Sequence, residues 1–96
     1  MAGYWVSAVR SLNDMEKFAA YQALSPAPIA EHGGKVLVAG VPELISGEGR
    51  KEITVVIEFP TLEAAVAAYE SPGYQAACEA LGDGLTRDMR IVAGLG

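Results

Sequence analysis

The stretch "ITVVIEFPTLEAAVAAY", residues 53–69, changes periodicity at a single proline. Before it, β-branched and aromatic residues dominate, so Ile53, Val55, Ile57 and Phe59 fall on one side of a pleated strand and Thr54, Val56 and Glu58 on the other. Pro60 has no amide to give to a strand ladder and ends the run. Thr61 then offers its side-chain oxygen to the free amides of a helix start, and Leu62, Ala65, Val66 and Tyr69 follow at the i, i+3, i+4, i+7 spacing of one apolar helix face. The segment therefore reads as strand then helix, with apolar residues on both faces of the strand.

The same signals extend in both directions. Ser71 and Pro72 restart the chain as N-cap and first helical position, Tyr74, Ala77, Cys78 and Leu81 repeat the helical spacing, "GDG" stops it, and "DMRIVAG" (88–94) reads as a closing strand. Upstream, "KVLVAG" (35–40) reads as a strand, joined to the 53–59 strand by "VPELISGEGRKE" (41–52), an exposed connection with no helical period. "GYWVSAVR" (3–10) is an opening strand with Tyr4, Val6 and Ala8 on one side and Trp5 and Val9 on the other. A helix follows, with Asn13 as N-cap, Glu16 completing a capping box, and Met15, Phe18 and Ala19 at helical spacing. Pro26 and Pro28 interrupt it, and "PAPIAEHG" (26–33) makes a short further turn. The order strand, helix, strand, strand, helix, strand fits an α+β, ferredoxin-like βαββαβ sandwich over residues 1–96. In that fold a four-stranded antiparallel sheet carries its helices on one face.

The helices can cover one sheet face only, and 51% of the residues are hydrophobic against 20% charged. A short chain buries a modest share of its surface, so a homodimer that covers the second face is expected. Seven Lys and Arg against twelve Asp and Glu, with no basic cluster, argue against nucleic acid as a partner. One cysteine and no long apolar run point to a cytoplasmic protein without a membrane span. A single His and a single Cys give no metal-ligand spacing, and "GEGR" lacks the following helix that a phosphate loop needs, so no metal and no cofactor are expected.

"GYW" near the start, Tyr21, "HGG" before the second strand, "EFP" at 58–60 and "SPGYQ" at 71–75 together resemble the domain-of-unknown-function family 1330 of the dimeric α+β barrel superfamily. The resemblance spans nearly the whole chain. It implies two protomers packed sheet to sheet, each with a small pocket between sheet and helices. Relatives in the wider superfamily include cofactor-free monooxygenases and lactone isomerases acting on small organic molecules, an analogy of fold alone. Two departures stand out. The tryptophan common before the tyrosine preceding the S-P-x-Y-Q motif is Ala68 here, and the arginine common after the second tyrosine is Leu81, which weakens the expectation of an anionic ligand.

Candidate site residues follow from chemistry. His32 is suited to proton transfer near neutral pH, although a helix end followed by Gly-Gly is equally served by an imidazolium against the helix dipole. Cys78 sits on an apolar stripe and reads as packing. Tyr69 and Tyr74 flank the Ser-Pro break where a cleft can open, and Trp5 and Tyr21 offer an apolar wall and a hydroxyl. Glu58, in an otherwise apolar strand, needs a partner or a wet cavity, and Arg90 is the nearest partner by pattern. The expected function is binding of a small, partly apolar organic molecule, with processing by cofactor-independent proton transfer through His32. The alternative is a non-catalytic ligand-binding or interaction module.

Overall fold

The computed structural model describes residues 1–96. In chain order it comprises β1 (Gly3–Leu12), α1 (Met15–Leu24), α2 (Pro26–Glu31), β2 (Lys35–Gly40), β3 (Thr54–Phe59), α3 (Leu62–Glu70), α4 (Pro72–Leu81) and β4 (Leu85–Ala93). The four strands form one antiparallel sheet in the order β2-β3-β1-β4, and the helices lie on one face of it. This is the expected ferredoxin-like α+β sandwich.

Register sorts the two faces. Trp5 stands opposite Ile57 and Ile91, while Val6 stands opposite Val56 and Arg90. The helix-covered face thus carries Trp5, Val9, Ile57 and Phe59, all buried. The outer face carries Tyr4, Val6, Val56, Glu58, Asp88 and Arg90. Across that face runs the row Val38, Val56, Val6 and Arg90. Every residue of β2 is exposed.

Three local readings are corrected. The N-cap of α1 is Asp14, whose carboxylate accepts from the amides of Glu16 and Lys17. Asn13 instead bridges to the turn before β4, distant in sequence but adjacent in space, donating to the Asp83 carbonyl and to Thr86. The apolar stripe of α3 is rotated from its expected axis, because Ala65 and Ala68 take the buried positions whereas Val66 and Tyr69 are exposed. Small side chains let α3 settle close to β1, and Trp5 Nε1 donates to the Ala65 carbonyl at 2.9 Å. In α1 no residue is buried and Met15 is 69% exposed. That helix stands off the sheet instead of packing flat on it.

The other helix ends behave as expected. Thr61 and Ser71 cap α3 and α4 through their hydroxyls. At the end of α2, Gly33 adopts φ +80, the Gly33 amide donates to the Ala30 carbonyl and the Gly34 amide to the Ile29 carbonyl. These bonds make a Schellman motif with His32 as C-cap.

The close seat of α3 on β1 is a constraint that can be tested. A Cβ on Gly3 would lie 2.7 Å from the Leu62 Cα and 2.9 Å from the Thr61 carbonyl oxygen, both backbone atoms that cannot step aside. Gly3→Ala is expected to destabilise by about 1–3 kcal/mol through overpacking, and Asp14→Ala by about 1 kcal/mol through loss of the cap. Urea unfolding of the two variants should show these losses, while Asn13 should not replace Asp14 as cap.

Candidate functional site

Where α1 stands off, a cavity of about 550 Å³ opens between the sheet and the α1–α2 pair. Trp5, Val55 and Met89 form its floor, Phe18 and Tyr21 reach down from α1, and Ile29 from α2. The volume is ordinary for a small-molecule site, for which about 300–1,000 Å³ is usual. The half-exposure of Phe18 and Tyr21 is therefore exposure to this cavity.

An aromatic cluster forms its inner end. The Trp5 ring lies 4.7 Å from Tyr74 and 5.1 Å from Phe59, and Tyr74 lies 5.9 Å edge-on from Tyr21. Such pairs contribute about 0.5–1.5 kcal/mol each beyond area burial. Tyr74 and Phe59 are completely buried.

Polar chemistry concentrates at one point. The Tyr21 and Tyr74 hydroxyls lie 2.6 Å apart, and the Arg87 guanidinium donates to both, Nη1 to Tyr21 at 3.2 Å and Nη2 to Tyr74 at 3.0 Å. Arg87 also lies over the Tyr21 ring, 5.3 Å from its centroid, a cation–π contact. Burial, reinforced by the neighbouring Tyr21, pushes the Tyr74 phenol well above its ordinary 10.0, and Arg87 offsets this only in part. Burial works against the charge on Arg87, but the two phenols outweigh it and the group stays a cation. Neither ion pair of the chain, Lys17 with Asp83 or Arg90 with Asp88, involves Arg87.

The residues singled out from sequence separate into two groups. Trp5 and Tyr21 line the cavity, and Tyr74 supports it from behind. Tyr69 is exposed on α3, although its ring edge meets Trp5 at 6.2 Å. Glu58 and Arg90 lie on the outer sheet face and are not partners: Glu58 accepts from the Tyr4 hydroxyl at 2.9 Å, and Arg90 pairs with Asp88 at 3.1 Å. They miss each other because Glu58 stands opposite Tyr4 whereas Arg90 stands opposite Val6. His32 is half-buried at the end of α2, with Nδ1 2.8 Å from the Pro28 carbonyl oxygen, and does not line the cavity. Cys78 is half-buried beside Arg87, its Sγ 4.0 Å from Nη2.

Arg87 is the functional candidate absent from the sequence reading. Its signal was period two: Arg87, Met89 and Ile91 share the helix-covered face of β4, so a charged residue continues an apolar row. Starting that strand at Asp88 hid it.

The raised Tyr74 phenol has a consequence for stability. A group whose folded value lies above its unfolded one stabilises the fold fully below the unfolded value, and that contribution is lost as pH rises through the folded one. Stability should therefore fall as pH rises above about 10. Tyr74→Phe should flatten that alkaline decline while costing about 1–3 kcal/mol at neutral pH, since Arg87 loses an acceptor. Urea unfolding at intervals between pH 8 and 11 measures both.

Similar proteins of known structure share the fold. A protein of unknown function from Rhodopseudomonas palustris is 18% identical, with 99% of this chain and 83% of that one aligned at a TM-score of 0.75. A candidate antibiotic biosynthesis monooxygenase from Nitrosomonas europaea is 19% identical over 100% of both chains, at a TM-score of 0.62. A dimeric protein of unknown function with a ferredoxin-like fold from Bacteroides fragilis is 16% identical, over 97% of this chain and 96% of that one, at 0.57. No curated protein matches the chain. Residues 2–95 match the family model described as domain of unknown function (DUF1330), and the chain belongs to that family.

Proposed function

We propose that this protein binds a small, partly apolar organic molecule in the cavity beneath α1, and does so as a homodimer joined through the outer sheet face. The observation that carries the first part is the cavity itself. A chain of this size gains stability by closing its core, yet here α1 is held away from the sheet and apolar side chains line the space. Filling that space with apolar ligand surface removes roughly 25 cal/mol per Å² of unfavourable hydration.

The dimer follows from the opposite face. Val38 of β2 is 49% exposed, and the row Val38, Val56, Val6 leads away from that edge across the outer face of the sheet. An exposed apolar edge strand invites pairing or aggregation unless it is covered. A second copy supplies the same row in return, and the similar Bacteroides fragilis protein is described as dimeric.

Binding without acid–base chemistry is the version the geometry favours. The cavity lining holds no carboxylate and no imidazole, the side chains that commonly serve as general bases. The Nδ1 of His32 is engaged by its own helix end. The catalytic reading would need Nε2 to reach a bound molecule.

Light scattering should give about twice the 10.0 kDa chain mass, from an interface burying about 1,200–2,000 Å² in total. Val56→Asp should return a monomer. Calorimetric titration with the neutral probe 2-naphthamide should show one site per chain, abolished by Val55→Trp, which fills the cavity. His32→Asn should cost at most about 1 kcal/mol of stability and leave the naphthamide affinity within about twofold of the wild type. Loss of affinity in that variant would return His32 to the site.

A further inference from the structure

We propose that the ligand carries a carboxylate, received by the Arg87 guanidinium and the Tyr21 hydroxyl at the inner end of a cavity that is mostly apolar and has no other charged group in its lining. This rests on the reading of the cavity as a ligand site, and it specifies the chemistry of what enters.

The argument is an inventory of hydrogens. A guanidinium has five N–H donors and no acceptor. Two of those of Arg87 are used on Tyr74 and Tyr21, and Nη2 makes one further, long contact with Cys78. No other acceptor of the chain engages the group, so its Nε–H and the second Nη1–H are left for something else.

The two phenols have two hydrogens between them and one mutual bond. If Tyr21 donated to Tyr74, the Tyr74 oxygen would accept from Tyr21 and Arg87, and its own hydrogen would be stranded in a residue with no exposure at all. A buried donor left without a partner costs about 1–3 kcal/mol. The other assignment has Tyr74 donate to Tyr21. The Tyr21 oxygen then accepts from Tyr74 and Arg87, and its hydrogen has no acceptor on the chain. Tyr21 lines the cavity and Tyr74 does not. The spare hydroxyl hydrogen is thus directed to the cavity, on the same side as a cation with spare N–H groups.

Donors with no acceptors, around a positive charge with no counter-charge, call for an anionic oxygen. Across the cavity, side chains such as Trp5, Phe18 and Ile29 offer no hydrogen-bonding anion of their own. A carboxylate attached to an apolar body satisfies both halves of the site. A dianion would leave one charge against an apolar wall, so a single carboxylate is favoured.

The test compares 2-naphthoate with 2-naphthamide, which has the same shape and no charge, by calorimetric titration of the dimer at pH 7. The wild type should bind naphthoate at least about tenfold more tightly, the size expected of hydrogen bonds to a charged group. Arg87→Gln should lower naphthoate affinity by at least about tenfold and naphthamide, whose carbonyl oxygen accepts without a charge, by much less. Tyr21→Phe keeps the ring and removes only the hydroxyl, so it should weaken naphthoate by about threefold to tenfold and naphthamide by less, because a hydrogen bond to a charged acceptor is the stronger one. It also carries the test should Arg87→Gln not fold. Equal affinity of the wild type for the two probes, or a preference for naphthoate that survives in a folded Arg87→Gln and in Tyr21→Phe, would overturn the proposal and leave the cavity as a neutral apolar site. Failure of both probes to bind would overturn the cavity reading itself.

Discussion

Tyr74 is the side chain through which the core and the cavity hold each other in place. Its ring is completely buried, 4.7 Å from Trp5, and its hydroxyl lies 2.6 Å from that of Tyr21 and 3.0 Å from Arg87. The ring therefore belongs to the hydrophobic core, and the oxygen belongs to the site. A buried hydroxyl must find partners or cost the fold about 1–3 kcal/mol. Meeting that demand draws α1 and β4 to one point, through Tyr21 from above and Arg87 from the sheet.

The consequence is a helix that packs against α4 but reaches the sheet through polar contacts instead of an apolar face. α1 has no buried residue, yet it is tethered at both ends. Near its start Lys17 meets Asp83 at 2.6 Å, an exposed pair worth little by itself. Nearer its end Tyr21 reaches the Arg87 cluster. Between these tethers the sheet and helix are free to stay apart, and the cavity is what lies between them. An ordinary apolar stripe on α1 would have closed it.

This also explains which features were legible in the sequence. The strand and helix order follows from periodicity, proline and cap residues, all of them local, and residues 53–69 alone show a strand turning into a helix. The faces of β1 and β3 follow from alternation, and so does the unpartnered outer face. The end of α2 was legible because Gly-Gly after His32 has few other uses. What local pattern could not show was which neighbour each polar group would meet. Glu58 and Arg90 are both outer-face residues, but they are offset by one pair along the sheet. Asn13 and Asp14 are adjacent and similar, and only the distant Asp83 carbonyl decides which of them is the cap. Tyr21 and Tyr74 were recognisable as site candidates, whereas their bond to each other depends on the packing of α1 on α4.

Arg87 shows how a polar residue in an apolar row can be read once its surroundings are known. Arg87 is half-buried, and even partial loss of water around a guanidinium carries a cost when nothing compensates. Here two hydrogen bonds from a charged donor, about 1.5–3 kcal/mol each, and a cation–π contact of about 0.5–2 kcal/mol offset that cost without any carboxylate. A carboxylate supplied by the chain would have offset it as well, but would also have neutralised the site. Holding the cation with neutral phenols keeps its charge available and fixes its orientation, since the planar guanidinium is gripped through both terminal nitrogens. Lysine could not be held in this way. The cluster is thus stable as it stands and still incomplete toward the cavity, and that combination gives an apolar space a direction in which a ligand must lie.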